Sequence, residues 1–169
     1  MMVIEKIYFD MDCVLADFNR GVRELCQLSV IPYEQKTEAQ DDEMWDAIRE
    51  VGPFYDKLEP VPGALELFKM VYEKYGDRCE ILTGIPKERR GIVTAGSDKT
   101  AWAHRLLSPD IVVNIVYAED KKNFCTGESC VLIDDYKRNI DEWTGSGGTG
   151  LLFTSSAQMT NLLREKGIL

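Results

Sequence analysis

The chain has 169 residues, of which 44% are hydrophobic, so it can fold as one domain or as a core with a small insert. Its net charge of −9 at pH 7 argues against binding of a long nucleic acid through a basic face. No apolar run reaches the roughly 18 residues of a membrane span, and no basic and apolar signal segment opens the chain, so we expect a cytoplasmic protein without a membrane partner.

Apolar strand patterns and amphipathic helix patterns alternate along the chain. In chain order they predict a strand at 4–9, helices at 16–28, 34–50 and 64–75, a strand at 79–84, a helix at 98–107 with Ser97 as its N-cap, strands at 111–117, 130–135 and 149–155, and a helix at 156–167. The glycine-rich segment 145–150 follows no strand and opens no helix, so it is interpreted as a helix-to-strand turn. Strands alternating with helices predict an α/β, Rossmann-like fold with a mostly parallel sheet flanked by helices.

Polar side chains stand where three of these strands end. Asp10 and Asp12 follow the first strand, and Thr83 lies at the end of the second. Asp134 and Asp135 end a later strand. Ligands of open parallel sheets bind beyond the carboxyl ends of the strands, and residues i and i+2 of an extended chain point the same way. We therefore expect these side chains to meet at one edge of the sheet.

Carboxylates gathered at this edge would repel one another, by roughly 4 kcal/mol for each like pair at 4 Å and an effective dielectric of about 20. Either their pKa values rise or a cation lies between them. Oxygen ligands without histidine or cysteine favour Mg²⁺ over zinc. The single histidine, His104, falls inside a predicted helix, and the five cysteines, an odd number without a CxxC pair, are expected to be reduced thiols.

Four segments resemble, in order, the four motifs of the haloacid dehalogenase-like phosphatases: "DMDCVLADF", "ILTG", "EDKKNF" and "LIDD". Three further segments, "FYDKLEPVPGALE", "LIDDYKRNIDEW" and "GGTGLLFTS", are similar to the small 5′(3′)-deoxyribonucleotidases of that superfamily. The resemblance spans nearly the whole chain. It implies a core of residues 1–16 and 61–169, with a small helical cap of residues 17–60 inserted after the first strand.

The resemblance implies a magnesium-dependent phosphomonoesterase that works through an aspartyl-phosphate. In such an enzyme, Asp10 attacks phosphorus, and Asp12 protonates the leaving oxygen and then activates water. The Mg²⁺ would be held by Asp10, the backbone carbonyl of Asp12, and Asp134 or Asp135. The implied substrate is a small phosphate monoester, a nucleoside monophosphate and more narrowly a 5′(3′)-deoxyribonucleotide. The sequence leaves a homodimer open.

The same resemblance assigns groups that would contact the phosphate. Lys121 and the Thr83 hydroxyl would offset charge on the phosphoryl oxygens, with the backbone N–H of Gly84 as a further donor. Lys99, in the first turn of its predicted helix, is a rival of Lys121. Cys13 stands where the superfamily often has glycine, and a left-handed backbone there would cost roughly 1–2 kcal/mol. We expect the site to survive that substitution.

Four aromatic side chains, Phe18, Trp45, Phe54 and Tyr55, are candidates for stacking on a nucleobase above the phosphate site, and Phe18 and Phe54 are the favoured two. They can equally form a small core inside the helical cap. For Trp45, the neighbouring Met44 and Ile48 favour the core.

Two other functions fit part of the pattern. A receiver-like signalling domain also combines clustered acids, a threonine and a lysine with Mg²⁺. The one-residue spacing of Asp10 and Asp12, and the insert that follows them, favour a phosphatase. A sugar phosphate is an alternative substrate, which the sequence distinguishes poorly from a nucleotide.

Overall fold

The computed structural model describes residues 2–169. Within them, five parallel strands form one sheet in the order β3-β2-β1-β4-β5. The strands are β1 (Lys6–Phe9), β2 (Cys79–Gly84), β3 (Val113–Val116), β4 (Cys130–Asp134) and β5 (Thr149–Leu152). Phe9 at the end of β1 lies beside Ile81 of β2 and Ile133 of β4. The carboxyl ends of these three strands therefore lie at the same edge, and the sheet confirms the predicted α/β class.

Helices connect the strands. They are α1 (Phe18–Leu25), α2 (Glu38–Val51), α3 (Ala64–Tyr75), α4 (Ala95–Leu106), α5 (Lys137–Gly145) and α6 (Ser156–Glu165). The prediction that Ser97 caps α4 is wrong, because the N-cap is Thr94. Ser97 lies in the first turn of α4, where its hydroxyl donates to the Thr94 carbonyl (3.0 Å). Among residues 2–169, no helix combines the length and the apolar character that crossing a bilayer requires.

Residues 17–60, which contain α1 and α2, leave and rejoin the rest of the fold at neighbouring points. The Asp17 N–H donates to the Glu59 carbonyl (2.8 Å), and the Val61 N–H donates to the Leu15 carbonyl (2.8 Å). The segment is therefore an insertion between β1 and α3. It is called the helical insert below.

The apolar core covers both faces of the sheet. On one face, Ile7 and Phe9 of β1 belong to a large buried cluster that also contains Phe54 of the helical insert. On the other face, Tyr8 packs edge-to-face against Trp143 of α5, with 5.6 Å between ring centroids. Because the sheet and the helical insert share one apolar cluster, the insert is packed against the sheet.

Close packing inside the helical insert leads to a stability prediction. A Cβ at Gly21 of α1 would clash with Leu58 Cδ2 and would lie 3.0 Å from Phe54 Cζ. We expect Gly21→Ala to lower the free energy of unfolding by about 1–3 kcal/mol, measured by urea denaturation. Gly145→Ala is the control, because a Cβ at the end of α5 would meet nothing within 4 Å. Equal stability of the two variants would contradict the close packing around Gly21.

Candidate active site

Three aspartate side chains meet at the carboxyl edge of the sheet. One carboxylate oxygen from each of Asp10, Asp134 and Asp135 lies within 4.8 Å of the other two. The strand register produces this meeting: the Asp10 N–H donates to the Ile133 carbonyl of β4 (2.9 Å), and Asp134 is the last residue of that strand. Asp12, which the sequence grouped with these acids, points its carboxylate to a different partner.

Lys121 lies between two of these carboxylates. It belongs to a 3₁₀ helix (Ala118–Phe124) after β3 and is 3% exposed. Its Nζ donates to Asp10 Oδ1 (2.7 Å) and Asp134 Oδ2 (2.8 Å). Burial alone would lower the pKa of Lys121, but the charges of Asp10 and Asp134 outweigh burial and raise the pKa above its ordinary value. Lys121 is therefore a fixed positive charge beside Asp10.

The remaining negative charge raises the pKa values of the neighbouring acids. Burial, followed by the charge of Asp10, raises the pKa of Asp134 to about 6, although Lys121 opposes the shift. Burial and the charges of Asp10 and Asp134 raise the pKa of Asp135 to about 9. A bound cation would relieve the repulsion that contributes to these shifts, and carboxylate oxygens are the ligands that Mg²⁺ prefers. The residues present therefore fit a divalent cation.

A second buried lysine, Lys99 of α4, holds Asp12. Lys99 is 0% exposed, and its Nζ donates to Asp12 Oδ2 (2.8 Å), the Thr83 hydroxyl (2.8 Å) and the Gly84 carbonyl (2.7 Å). The Tyr55 ring of the helical insert covers the ammonium, with 4.6 Å between Nζ and the ring centroid. An ammonium has three N–H donors, so Lys99 has no donor left for another partner.

The other carboxylate oxygen of Asp12 has no partner. Within residues 2–169, Asp12 Oδ1 is the single buried side-chain nitrogen or oxygen atom without a hydrogen bond. An unpartnered buried acceptor costs about 1–3 kcal/mol. A bound molecule that donates a hydrogen bond to this oxygen would remove the cost.

The chain after Asp12 turns sharply at Cys13. Cys13 has φ of 66°, in the left-handed region, and its N–H donates to the Ala16 carbonyl (2.8 Å), which holds the turn. The loop therefore forms with cysteine in the place of glycine. Burial, followed by the charge of Asp135 and then Asp12, raises the pKa of the Cys13 thiol well above its ordinary value. The thiol stays protonated and is a poor nucleophile.

A cavity of about 510 Å³ lies between the sheet edge and the helical insert. Its lining includes the site candidates Asp10, Asp12, Trp45, Gly84, Lys121, Asp134 and Asp135. The insert and the loops of the sheet add, among others, Tyr33, Asp41, Tyr55, Arg89, Arg90 and Tyr136. This volume is typical of sites for small molecules.

Four of the candidates do not line this cavity. Phe54 is fully buried, and Phe18 packs edge-to-face against it, with 5.5 Å between ring centroids. Thr83 and Lys99 are fully buried behind Asp12. Two of the four aromatic candidates, Phe18 and Phe54, thus lie in the core around the insert, whereas Trp45 and Tyr55 line the cavity.

Arg90 joins the helical insert to the loop after β2. Its guanidinium donates to Asp42 Oδ1 (2.6 Å) and Asp41 Oδ2 (2.7 Å), both on α2. Local sequence carried no signal for this contact, because acids on the polar face of a helix are usually solvated. The pairing depends on how two distant segments pack.

No protein-family model matches the chain. The 5′(3′)-deoxyribonucleotidase, cytosolic type, of Homo sapiens is 28% identical over 146 residues, covering 77% of this chain and 70% of the human protein. A HAD family hydrolase from Deinococcus radiodurans R1, solved with bound phosphate and sodium, has a TM-score of 0.66 at 15% identity and covers 100% of this chain and 99% of its own. A HAD family enzyme from Bacteroides thetaiotaomicron, solved as a magnesium complex, has a TM-score of 0.52 at 16% identity, with coverage of 95% and 98%.

Proposed function

We propose that this chain, which has the fold of the haloacid dehalogenase (HAD) superfamily, is a phosphatase that hydrolyses a small phosphate monoester, preferentially a nucleoside monophosphate. The observation that carries the proposal is the pair Asp10 and Asp12, each held by its own buried lysine at the base of the cavity. The reaction needs one carboxyl group to attack phosphorus and a second to exchange a proton, and the two lysines hold Asp10 and Asp12 as two separate groups. The helical insert would act as the cap over the site.

The first step is an attack on phosphorus. A carboxylate oxygen of Asp10 forms the aspartyl-phosphate while the bond between phosphorus and the alcohol oxygen breaks. Asp12 gives a proton from Oδ1, the atom without a partner in the protein, to the departing oxygen. In the second step the Asp12 carboxylate takes a proton from water, and the water oxygen attacks phosphorus. Asp10 returns to a carboxylate, and inorganic phosphate is released.

The two lysines support different roles. Lys121 uses two N–H donors on Asp10 and Asp134, so its third donor is free for a phosphoryl oxygen. Lys99 has no free donor, which supports a role in orienting the Asp12 carboxylate so that Oδ1 faces the leaving oxygen. These contacts favour Lys121 over Lys99 as the lysine that contacts phosphate.

The acids around Asp10 support a metal site. Asp10, Asp134 and Asp135, with the backbone carbonyl of Asp12, would hold Mg²⁺. A bound Mg²⁺ supplies positive charge that offsets the negative charge of the phosphoryl oxygens. The magnesium complex of the Bacteroides enzyme, which shares the fold, is consistent with this choice of ion.

The nucleotide preference rests on the human relative and on the lining of the cavity. That relative is named a deoxyribonucleotidase. Trp45 and Tyr33 of the helical insert line the cavity, and aromatic rings offer a flat surface on which a nucleobase can stack. A sugar phosphate would use the same acids and lysines without needing this surface.

Phosphate release from a panel of monophosphates tests the proposal. The panel contains deoxy- and ribonucleotides with 5′ or 3′ phosphate, together with sugar phosphates, each with Mg²⁺ or EDTA. We expect turnover of deoxyribonucleotides that EDTA abolishes and excess Mg²⁺ restores. Turnover of sugar phosphates alone would contradict the nucleotide preference. No turnover of any ester, with stable phosphorylation of Asp10 by acetyl phosphate, would contradict the phosphatase and indicate a receiver-like switch.

A further inference from the structure

Tyr55 is a buried residue that the reaction described above does not use. It begins a 3₁₀ helix (Tyr55–Lys57) near the end of the helical insert, and it is 1% exposed. Its ring covers the Lys99 ammonium, which in turn donates to Asp12. Tyr55 also lines the cavity. The residue therefore lies beside the proposed proton donor and at the wall of the binding site.

The Tyr55 hydroxyl makes no hydrogen bond within residues 2–169, although almost all of the residue is buried. Asp12 Oδ1 is the single fully buried side-chain polar atom without a partner in the same range. The Tyr55 hydroxyl is not among such fully buried atoms, and Tyr55 lines the cavity. Leaving a hydroxyl unpaired in such a place is unfavourable unless a bound molecule completes its hydrogen bonding.

Burial keeps this hydroxyl protonated, so it can donate a hydrogen bond. Burial, followed by the charge of Asp12, raises the pKa of Tyr55 well above its ordinary value. A neutral tyrosine can donate one hydrogen bond and accept others. The Tyr55 ring covers Lys99, Lys99 donates to Asp12, and both Tyr55 and Asp12 line the cavity. Tyr55 therefore lies on the side of the cavity where the proposed reaction places the alcohol part of the ester.

We propose that the Tyr55 hydroxyl binds the alcohol part of the substrate, donating a hydrogen bond to a second oxygen near the scissile ester oxygen. This inference rests on the proposed function, because Asp12 identifies the place of the leaving oxygen. Sugar-containing alcohols, nucleosides included, carry such a second oxygen as a ring oxygen or a neighbouring hydroxyl. Simple alkyl esters do not. Tyr55 would therefore select phosphate esters of sugars and nucleosides over alkyl phosphates.

The test compares wild type with Tyr55→Phe on two esters, deoxythymidine 5′-monophosphate and ethyl phosphate. We expect Tyr55→Phe to lower kcat/KM for the nucleotide by about 10-fold and to leave kcat/KM for ethyl phosphate unchanged. Stability is expected to be equal or higher, because the lost hydroxyl has no partner in the protein. Tyr117→Phe is the matched control, since the Tyr117 hydroxyl also lacks a hydrogen bond within residues 2–169 but Tyr117 is not among the residues that line the cavity. That variant is expected to leave both constants unchanged.

Each other outcome would overturn the inference. Equal losses on both esters would mean that the hydroxyl acts on the reaction itself, and unchanged kinetics on both would mean that it does not touch the substrate. Hydrolysis of ethyl phosphate by the wild-type protein tests the proposed phosphatase activity independently of the role of Tyr55. If the wild-type protein hydrolyses neither ester, both the proposed function and the role of Tyr55 are contradicted. If the wild-type protein is active and Tyr55→Phe keeps the same ratio of kcat/KM between the nucleotide and ethyl phosphate, the role of Tyr55 alone is contradicted.

Discussion

The Asp10→Asn variant is expected to lose turnover by roughly 10⁴-fold or more. The amide oxygen is a weak nucleophile, so no aspartyl-phosphate forms, although the side chain keeps its size. The fold is expected to remain, because the asparagine amide oxygen can still accept from Lys121 and Lys121 keeps its ion pair with Asp134. Steady-state kinetics measures the loss, and thermal unfolding checks the fold.

Asp135→Asn is the matched control, because it makes the same change of side chain in the same cluster and leaves the proposed nucleophile in place. Its activity is expected to recover as the Mg²⁺ concentration is raised, whereas Asp10→Asn stays inactive at every concentration. Borohydride reduction of the wild-type enzyme during turnover is expected to convert Asp10 to homoserine, which mass spectrometry of the peptide detects. An active Asp10→Asn variant, or homoserine at position 12, would contradict the assignment of the nucleophile.

Lys121→Met is expected to cost both stability and activity. Lys121 is 3% exposed and donates to Asp10 and Asp134, so methionine leaves two buried carboxylates without their counter-charge. Removing one partner of a buried ion pair costs about 3–5 kcal/mol. Losing a donor to the reacting group lowers turnover by about 10²–10³-fold. Urea denaturation and steady-state kinetics measure the two effects.

Lys122→Met is the control for this prediction. Lys122 is the next residue along the chain and is exposed, so the same change of side chain is expected to alter the free energy of unfolding by less than about 0.5 kcal/mol. Mg²⁺ is expected to return part of the stability that Lys121→Met loses, because a cation also offsets the clustered charge. Wild-type stability in Lys121→Met would contradict the buried ion pairs.

Much of the fold could be predicted because its signals are local. The strand over "CEILTG" and the helix at 64–75 have the predicted bounds, since an apolar run and a helical period are visible within a few residues. The start of α4 could not be predicted in this way. Thr94 and Ser97 are both favourable N-caps, and the path of the preceding loop, which local sequence does not specify, places the cap at Thr94.

For the candidate site, too, the positions of the acids could be predicted from local sequence, whereas their contacts could not. Asp10, Asp12 and Asp134 could be placed at strand ends from the residues alone, because each follows an apolar run and parallel strands end at one edge. The partner of each carboxylate could not be predicted. Lys99 reaches Asp12 from 87 positions away, and Lys121 reaches Asp10 from 111 positions away.

Hydrogen bonds of 2.7–2.8 Å between such distant residues depend on the packing of the whole core. A shift of one helix turn in α4 would separate Lys99 from Asp12 without changing any local pattern. Tyr55 illustrates the same limit, since the sequence indicates an aromatic side chain for base stacking or for the core of the insert and gives no sign of its contact with Lys99. Its position over Lys99 and its unpartnered hydroxyl exist only because the helical insert packs against the carboxyl edge of the sheet.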